Sequence, residues 1–316
     1  MNSKAINGNG MPTGRKYCIP LLLLLFLLCS CERRPLTYYS ENSLHVSVDW
    51  SKADLDEESE YGATLIFYPR DGGTPKTVLM GNRHETTVNL PPGHYNVLLF
   101  NRSFEDFGGI AFRGKDLFHT LEAYAKQVES RSGTRIILHA PEKLAVDAVE
   151  DIMANEDMHF TPRKLTRTIE VQIHVKGLKN IREAVCTMDG LPVSIFLSSG
   201  KTSGEAASHT FELGNPVYNE GSSEDGILSG SFNVFGFDAE TDHELQFSAL
   251  LVDNKTQVQQ SFPCLNITET EDEKGNITLN VEAKVPESIP NVDIGGSGLD
   301  ADVDDWENNE NCDIEM

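Results

Sequence analysis

Residues 169–175 read Ile-Glu-Val-Gln-Ile-His-Val, and this alternation of apolar and polar side chains decides the fold class. Successive side chains of an extended strand point to opposite faces, so the Ile and Val residues share one face. The Glu, Gln and His residues share the other face, which suits contact with water. The stretch therefore predicts a half-buried β-strand with one dry face and one wet face.

The same period occurs at residues 44–50, where Leu44, Val46 and Val48 alternate with polar residues. Residues 95–100 are apolar on both faces, which is expected of a central strand that is covered on each side. Further strands are predicted at 63–68, 86–90, 191–197, 228–237, 244–252 and 277–281. Short strands separated by Gly and Pro turns, without a long amphipathic helix, predict an all-β protein built from sandwiches.

The alternation of apolar and polar residues is interrupted between residues 114 and 160 and then resumes. We expect a short helix at 120–127, a strand at 135–138 and an acidic connector at 141–160. The expected division is thus an N-terminal β-sandwich at 44–140 and a C-terminal β-sandwich at 161–285. The length of the chain is sufficient for two domains.

Residues 286–316 form an acidic C-terminal extension, and no Lys or Arg occurs from Glu287 onward. Such a charge run is typical of a solvated tail. However, Trp306 lies within it, and Cys312, Ile314 and Met316 alternate with acidic residues at the end. We therefore expect Trp306 to pack on the second sandwich and residues 311–316 to add a strand to a sheet edge, in this chain or in a partner.

A calcium site is one hypothesis for this extension, because Asp300, Asp302 and Asp304 occur at alternate positions. Carboxylates at this spacing can converge on calcium in a curled loop. The glycine and the bidentate glutamate of a calcium-binding EF-hand loop are missing, since the corresponding positions hold Asp305 and Asn311. We expect these carboxylates to share a solvent face, and we predict no metal site and no cofactor.

The N-terminus predicts an exported lipoprotein with a signal peptide at residues 1–30. Lys4, Arg15 and Lys16 precede an apolar core at 19–28, which is too short to span a bilayer. Leu28-Cys29-Ser30-Cys31 then fits a bacterial lipobox, whose cysteine thiolate takes the diacylglycerol. Cys31 is therefore the predicted lipidation site, residues 31–43 are the tether, and the membrane is a partner through the N-terminal lipid.

Charge and motifs exclude several classes of function. The formal net charge is −23, with 49 acidic residues against 26 Lys and Arg, so a phosphate backbone is a poor partner and we expect no nucleic acid. The 9 histidines lie in no metal-ligand spacing, and no nucleophile elbow, P-loop or dinucleotide fingerprint occurs. We therefore predict that the protein is not an enzyme.

Two cysteines of the predicted second sandwich, Cys186 and Cys264, are left after export and lipidation are accounted for, together with Cys312 in the tail. Cys186 and Cys264 could form a disulfide in an oxidising envelope, or they could remain buried free thiols. The sequence leaves both alternatives open.

A set of short motifs in a fixed order carries a resemblance to a known family. After the lipobox come Val-Ser-Val-Asp-Trp at 46–50, Leu-Ile-Phe-Tyr-Pro at 65–69 and Leu-Pro-Pro-Gly-His-Tyr at 90–95. Gly-Ser-Gly-Leu-Asp at 296–300 and Val-Asp-Asp-Trp at 303–306 follow near the end. In this order they resemble the fimbrillin-like lipoproteins of Bacteroidales, a domain-of-unknown-function family related to the FimB-type anchor and accessory subunits of type V pili.

The resemblance implies two tandem transthyretin-like β-sandwiches, no catalysis, and partners that are other fimbrial subunits. It also implies assembly by strand complementation, in which a strand of one subunit fills an open groove of another. The expected place is the outer membrane, with the protein lipid-anchored and facing the cell surface. The alternative hypothesis is a cell-envelope lipoprotein that binds a glycan or a protein, whose small-molecule ligand the sequence does not name.

Overall fold

A computed structural model describes residues 41–55, 62–128, 137–238 and 243–292 of the chain. These residues form an all-β protein, as the alternating patterns predict, and their one helical element is a 3-10 turn at Leu178–Asn180. No helix among them is long and apolar enough to cross a membrane.

The first part of the described chain contributes eleven strands. In order they are β1 (Asn42–Val48), β2 (Ala63–Pro69), β3 (Lys76–Met80), β4 (Glu85–Leu90), β5 (His94–Asn101), β6 (Ile110–Arg113), β7 (Glu122–Ala125), β8 (Ile137–Leu138), β9 (Ala145–Met153), β10 (Met158–Phe160) and β11 (Arg163–Lys164).

The second part contributes nine strands. They are β12 (Arg167–Val175), β13 (Ile181–Pro192), β14 (Ser194–Phe196), β15 (Ala206–Tyr218), β16 (Gly226–Val234), β17 (Glu244–Leu251), β18 (Gln257–Pro263), β19 (Asn266–Glu271) and β20 (Ile277–Lys284).

The strands of the first part build two facing sheets and a third that covers them. A small sheet has the order β10-β1-β4, and a central sheet has the order β11-β9-β5-β2-β3. A core that includes Leu44, Val46, Phe67 and Val97 fills the space between them. The opposite face of the central sheet is also covered, because Ile66, Leu98 and Phe100 belong to a second core cluster. The apolar run at 95–100 is therefore a central strand covered on both sides, as its sequence predicts.

The second core cluster lies against a bridging sheet with the order β14-β7-β6, which joins the two parts of the chain. Its strand β14 comes from the second part, and Ser194 pairs with Tyr124 of β7. The carboxylate of Glu122 on β7 accepts two hydrogen bonds from Arg113, at 2.6 and 2.8 Å, and one from the hydroxyl of Ser194. Glu122 is the buried partner of this ion pair and Arg113 the solvent-exposed one, since their side chains are 7% and 55% exposed.

Most strands of the second part form one large sheet with the order β18-β17-β13-β15-β16-β12-β20-β19, and the short strand β8 of the first part pairs in parallel with its β15. The long strand β15 pairs with β13 up to Leu213 and with β16 from Gly214, with a shift of register after Gly214. A third core cluster contains the apolar residues of β12, β13, β17 and β20. Ile169, Val171 and Ile173 are fully buried within it, whereas Glu170 and Gln172 are exposed, which confirms the predicted alternation.

Two predictions about the middle of the chain are wrong. The expected helix at 120–127 is the strand β7, because Glu122 and Ala123 pair with β6 on one side and β14 on the other. The expected connector at 141–160 contains β9, which pairs with β5 inside the central sheet, and β10, which pairs in parallel with β1. Its acidic residues, which suggested a linker, lie on the more exposed part of β9. The division into sandwiches at 44–140 and 161–285, and their transthyretin-like topology, stay predictions.

Candidate interaction surfaces

Most of the predicted site residues lie outside the described residues. These are Cys31 at the lipid site, Trp306, Cys312, Ile314 and Met316 in the predicted terminal strand, and the aspartates Asp300, Asp302 and Asp304. Within the described ranges, no group of three or more His, Cys, Asp or Glu side chains is placed to hold a metal ion.

Cys186 and Cys264 are free thiols in the structure. Cys186 lies on β13 and is fully buried, while Cys264 follows directly after β18 and is half-buried. Burial raises the pKa of Cys186 to about 12, and the nearby Cys264 adds to the rise. Burial likewise raises the pKa of Cys264 to about 11. The structure thus describes the reduced state, and the disulfide between them stays a prediction.

The N-terminal strand β1 is built into the core and begins at Asn42, within the last two residues of the predicted tether. It pairs in antiparallel fashion with β4 and in parallel with β10, so both of its edges are occupied over part of its length. Its inward side chains Leu44 and Val46 are 3% and 0% exposed. At its start the Asn42 amide donates a hydrogen bond to the carbonyl of Ala154 (2.7 Å). Removing β1 would therefore open the first core.

The strands β18 and β19 leave open edges on the large sheet. Among the described residues, β18 pairs only with β17, and β19 pairs only with β20. An open edge presents unpaired N–H and C=O groups to any extended segment that approaches. The two edges differ in charge, because β19 carries exposed Glu269 and Glu271, whereas β18 carries neutral glutamine and serine side chains.

The register of β18 shows which backbone groups its open edge presents. At one end the N–H of Leu251 donates to the carbonyl of Thr256 (2.9 Å), and at the other the N–H of Cys264 donates to that of His243 (3.2 Å). Directly hydrogen-bonded pairs recur at every second residue of an antiparallel ladder. The groups turned toward the open edge therefore belong to the exposed residues Gln257, Gln259 and Ser261.

The chain after β20 runs toward β18 before it leaves the described residues. Glu287 and the side chain of Gln260 exchange two hydrogen bonds, at 3.0 and 3.3 Å. Ile289 is 4% exposed, and its N–H donates to the carbonyl of Lys176 (2.9 Å). Packing on the large sheet thus continues beyond residue 285, and it fixes the start of the acidic extension.

Sequence reasoning missed β3, β6 and β11 in the first part, and β15, β18, β19 and most of β13 in the large sheet. Strand β15 had a short usable signal, because Phe211 and Leu213 alternate with the polar residues Thr210 and Glu212. The edge strands had little signal, since β19 has a single apolar side chain, Ile267, and β18 has two. An edge strand that faces water on several sides needs few apolar residues, so periodicity does not reveal it.

Three aromatic residues of the first part that could contribute to a glycan-binding platform are buried. Trp50, Tyr68 and Tyr95 are 8%, 5% and 6% exposed. The indole N–H of Trp50 donates to the carbonyl of Arg83 (2.9 Å), and the Tyr95 hydroxyl donates to that of Pro91 (2.9 Å). These rings stabilise the first part of the chain and offer no face to a sugar.

Comparisons with known proteins identify a family and a relative that this chain resembles over much of its length. A family model described as a domain of unknown function (DUF5119) matches residues 30–212. A curated relative from Bacteroides ovatus, named "Putative fimbrium anchoring subunit Fim4B", is 22% identical, and the alignment covers 93% of this chain and 96% of that protein.

One solved structure from Bacteroides ovatus shows a similar overall fold. A "putative adhesin" from Bacteroides ovatus has a TM-score of 0.56 at 17% identity, over 71% of this chain and 83% of its own. The fimbrial anchor protein Mfa2 from Porphyromonas gingivalis has a TM-score of 0.40 at 11% identity, over 69% of this chain and 82% of its own.

Proposed function

The chain belongs to the DUF5119 family, whose model covers more than half of it, and from this premise we propose that it is a non-catalytic, lipid-anchored subunit of a fimbria. In this proposal it acts as an anchor or accessory subunit at the outer membrane and faces the cell surface. The relative named as a fimbrium anchoring subunit, which aligns over almost the full length of both proteins, supports the proposal.

The position of β1 is the observation that carries the anchoring role. The predicted lipid site Cys31 is followed by a short tether, and β1 begins at Asn42. Because β1 pairs with both β4 and β10, a load on the lipid is transmitted into the small sheet and its core. An anchor needs this continuity, since cleavage between the lipid and β1 would release the folded part from the membrane.

Strand complementation at the open edge of β18 is the proposed route to other subunits. A partner strand there would bond the outward groups of Gln257, Gln259 and Ser261, and main-chain bonding of this kind gives affinity with little sequence dependence. The donor in our proposal is an extended segment such as residues 311–316, with Cys312, Ile314 and Met316 on one face, from this chain or from a neighbouring subunit.

Charge favours β18 over β19 as the acceptor edge for such a segment. The predicted donor carries Asp313 and Glu315. The edge at β19 carries Glu269 and Glu271, and like charges on directly opposed strand residues are destabilising. The edge at β18 carries no charged side chain.

A proline substitution tests this route. Gln259→Pro removes an N–H that points to the open edge and leaves the bonds of β18 to β17 intact. Its matched control is Gln259→Thr, which keeps the N–H and suits a strand. We expect the proline variant, expressed in the native host, to lose co-purifying fimbrial subunits from the envelope fraction while the threonine variant retains them. Equal recovery of the same subunits with both variants would contradict complementation at β18.

A further inference from the structure

A groove of about 490 Å³ lies at one end of the central sheet, away from the edges described above. One wall is the turn after β2, from Pro69 to Pro75, and the opposite wall is the loop at residues 116–120. Glu150 of β9 lies at its rim. Grooves of this volume are typical of sites for small ligands or for a side chain of a partner.

The loop wall carries an apolar surface that nothing in the described chain covers. Leu117 is 63% exposed, whereas the next residue, Phe118, is 4% exposed. The ring of Phe118 packs edge-to-face on that of Tyr68 at 5.9 Å. The apolar part of the groove therefore has a packed base, formed by Phe118, and an exposed rim, formed by Leu117.

The hydroxyl of Tyr68 is a polar group without a partner among the described residues. Tyr68 is 5% exposed, lines the groove, and has no hydrogen bond at this oxygen. Burial raises the pKa of Tyr68, and the negative charge of Asp116 on the loop wall adds to the rise. The hydroxyl thus remains a neutral donor that feels the charge of Asp116. A buried donor without an acceptor is unfavourable, and a bound acceptor would satisfy it.

The charges at the rim do not cancel. The one arginine of the groove, Arg70, is engaged by Asp151 at 2.6 Å, and Asp151 also contacts His94 at 2.7 Å. Asp116 and Glu150 have no ion-pair partner within 4.0 Å among the described residues. His119 is the remaining titratable group that lines the groove. The groove therefore joins an apolar wall to two carboxylates, and its one arginine, Arg70, is held by Asp151 and also interacts with Glu150, which leaves Asp116 as the carboxylate without a cation among the described residues.

We propose that this groove binds an extended polypeptide segment of a partner protein through a lysine or arginine side chain flanked by an apolar residue. The alkyl stem of such a side chain covers apolar surface while its cationic head reaches a carboxylate. The stem would lie on Leu117 and Phe118, the head between Asp116 and Glu150, and a backbone carbonyl of the segment would accept the hydrogen bond of Tyr68. The carboxylates disfavour a phosphate or another anion, and the buried rings disfavour a sugar.

Binding at this groove does not depend on the fimbrial role, since it uses neither β18 nor the lipid. The test uses the full mature lipoprotein in detergent micelles and a labelled peptide, acetyl-Ala-Leu-Lys-Leu-Ala-amide, with fluorescence anisotropy as the measurement. The control peptide replaces the lysine by glutamate. We expect saturable binding of the lysine peptide and none of the glutamate peptide. Equal binding of the two peptides, or binding of neither, would overturn the proposal.

Substitutions at the two carboxylates test whether the lysine peptide binds in the groove. Asp116→Asn combined with Glu150→Gln should weaken binding of the lysine peptide about tenfold or more, because the two partners of the cation are lost. The matched control, Glu105→Gln combined with Glu273→Gln, makes the same change of charge at exposed positions outside the groove and should leave affinity unchanged. An equal loss in both double variants would mean that net charge alone attracts the peptide, which contradicts a built site.

Tyr68→Phe separates binding from stability. Removing an unpaired buried hydroxyl should leave the thermal midpoint of the free protein unchanged or raise it. The same change should weaken peptide binding, because the donor to the segment is gone. A variant that binds as tightly as the wild type would remove Tyr68 from the site, and a variant that loses stability would show that its hydroxyl has an internal partner.

Discussion

The hydroxyl of Ser194, in the second part of the chain, donates a hydrogen bond to the buried carboxylate of Glu122, in the first part. The same carboxylate accepts two hydrogen bonds from Arg113. The hydrogen bonds from Arg113 hold the pKa of Glu122 below its usual range, and the hydrogen bond from Ser194 lowers it further. One side chain therefore ties together all three strands of the bridging sheet.

We predict that Glu122→Ala lowers the free energy of unfolding by about 3 kcal/mol, measured by urea denaturation. The loss comes from leaving Ser194 without its acceptor and from removing a packed side chain. The control is Glu224→Ala, which breaks an exposed ion pair with Lys179 and should cost less than about 1 kcal/mol. If both variants lost the same small amount, Glu122 would not hold the bridging sheet together.

Acid should weaken the fold through His209 on β15. This residue is fully buried, and burial lowers its pKa from 6.5 to about 4, although the backbone of His139 opposes part of the shift. Between pH 4 and pH 6.5 the unfolded chain therefore binds more protons than the folded chain. The contribution of His209 to the stability of the fold is complete above pH 6.5 and is lost as the pH falls toward 4. The loss amounts to about 3 kcal/mol.

The variant His209→Leu should remove this part of the pH dependence, whereas His84→Gln, at an exposed histidine, should retain it. The measurement is the free energy of unfolding at neutral pH and at pH near 4.5 for the three proteins. A wild-type loss that His209→Leu reproduces in full would assign the acid sensitivity to other groups.

The two thiols should differ in reactivity. A chain that starts at residue 32 and carries Cys312→Ala retains only Cys186 and Cys264. At neutral pH we expect a maleimide to modify Cys264 before Cys186, because Cys264 is half-buried and Cys186 fully buried, with both reactions accelerated in urea. Mass spectrometry after proteolysis identifies the sites. Absence of modification in urea until a reductant is added would reveal the disulfide instead.

The acidic extension should contribute to stability through Trp306. We predict that a chain ending at Val292, which keeps the contacts of Ile289 and Asn291, is less stable than the full chain by about 2 kcal/mol. Trp306→Phe should also remove a blue-shifted component from the fluorescence, since Trp50 is the one other tryptophan. Equal stability of both chains, with a red-shifted Trp306 signal, would describe a solvated tail.

The sequence predicts those strands whose burial alternates or is complete on both faces. Strands β5 and β12 follow directly from the pattern, because their apolar residues face a core that the strand itself helps to form. The strand β7 was expected to be a helix, since its four residues contain two alanines and a glutamate, which favour helix locally. Its pairing with β14, from a distant part of the chain, overrides that preference.

The candidate surfaces were harder to predict than the fold. The open edge of β18 depends on the order of strands in the large sheet, which a single sequence does not specify. The Tyr68 groove depends on a loop at 116–120 that reaches the end of the central sheet. The prediction of lipidation at Cys31, by contrast, rests on adjacent residues and requires no tertiary structure.

The most direct test of the central claim is the fraction of assembled fimbriae that stays with the cells when Cys31 is replaced. Cys29→Ala is the matched control, because it changes a neighbouring cysteine that cleavage before Cys31 would remove. Quantifying fimbrial protein in the cell pellet and in the medium, we expect Cys31→Ala to shift fimbriae into the medium and Cys29→Ala to keep them on the cells. Fimbriae that remain fully cell-bound with Cys31→Ala would contradict an anchoring role for the proposed lipid at this cysteine.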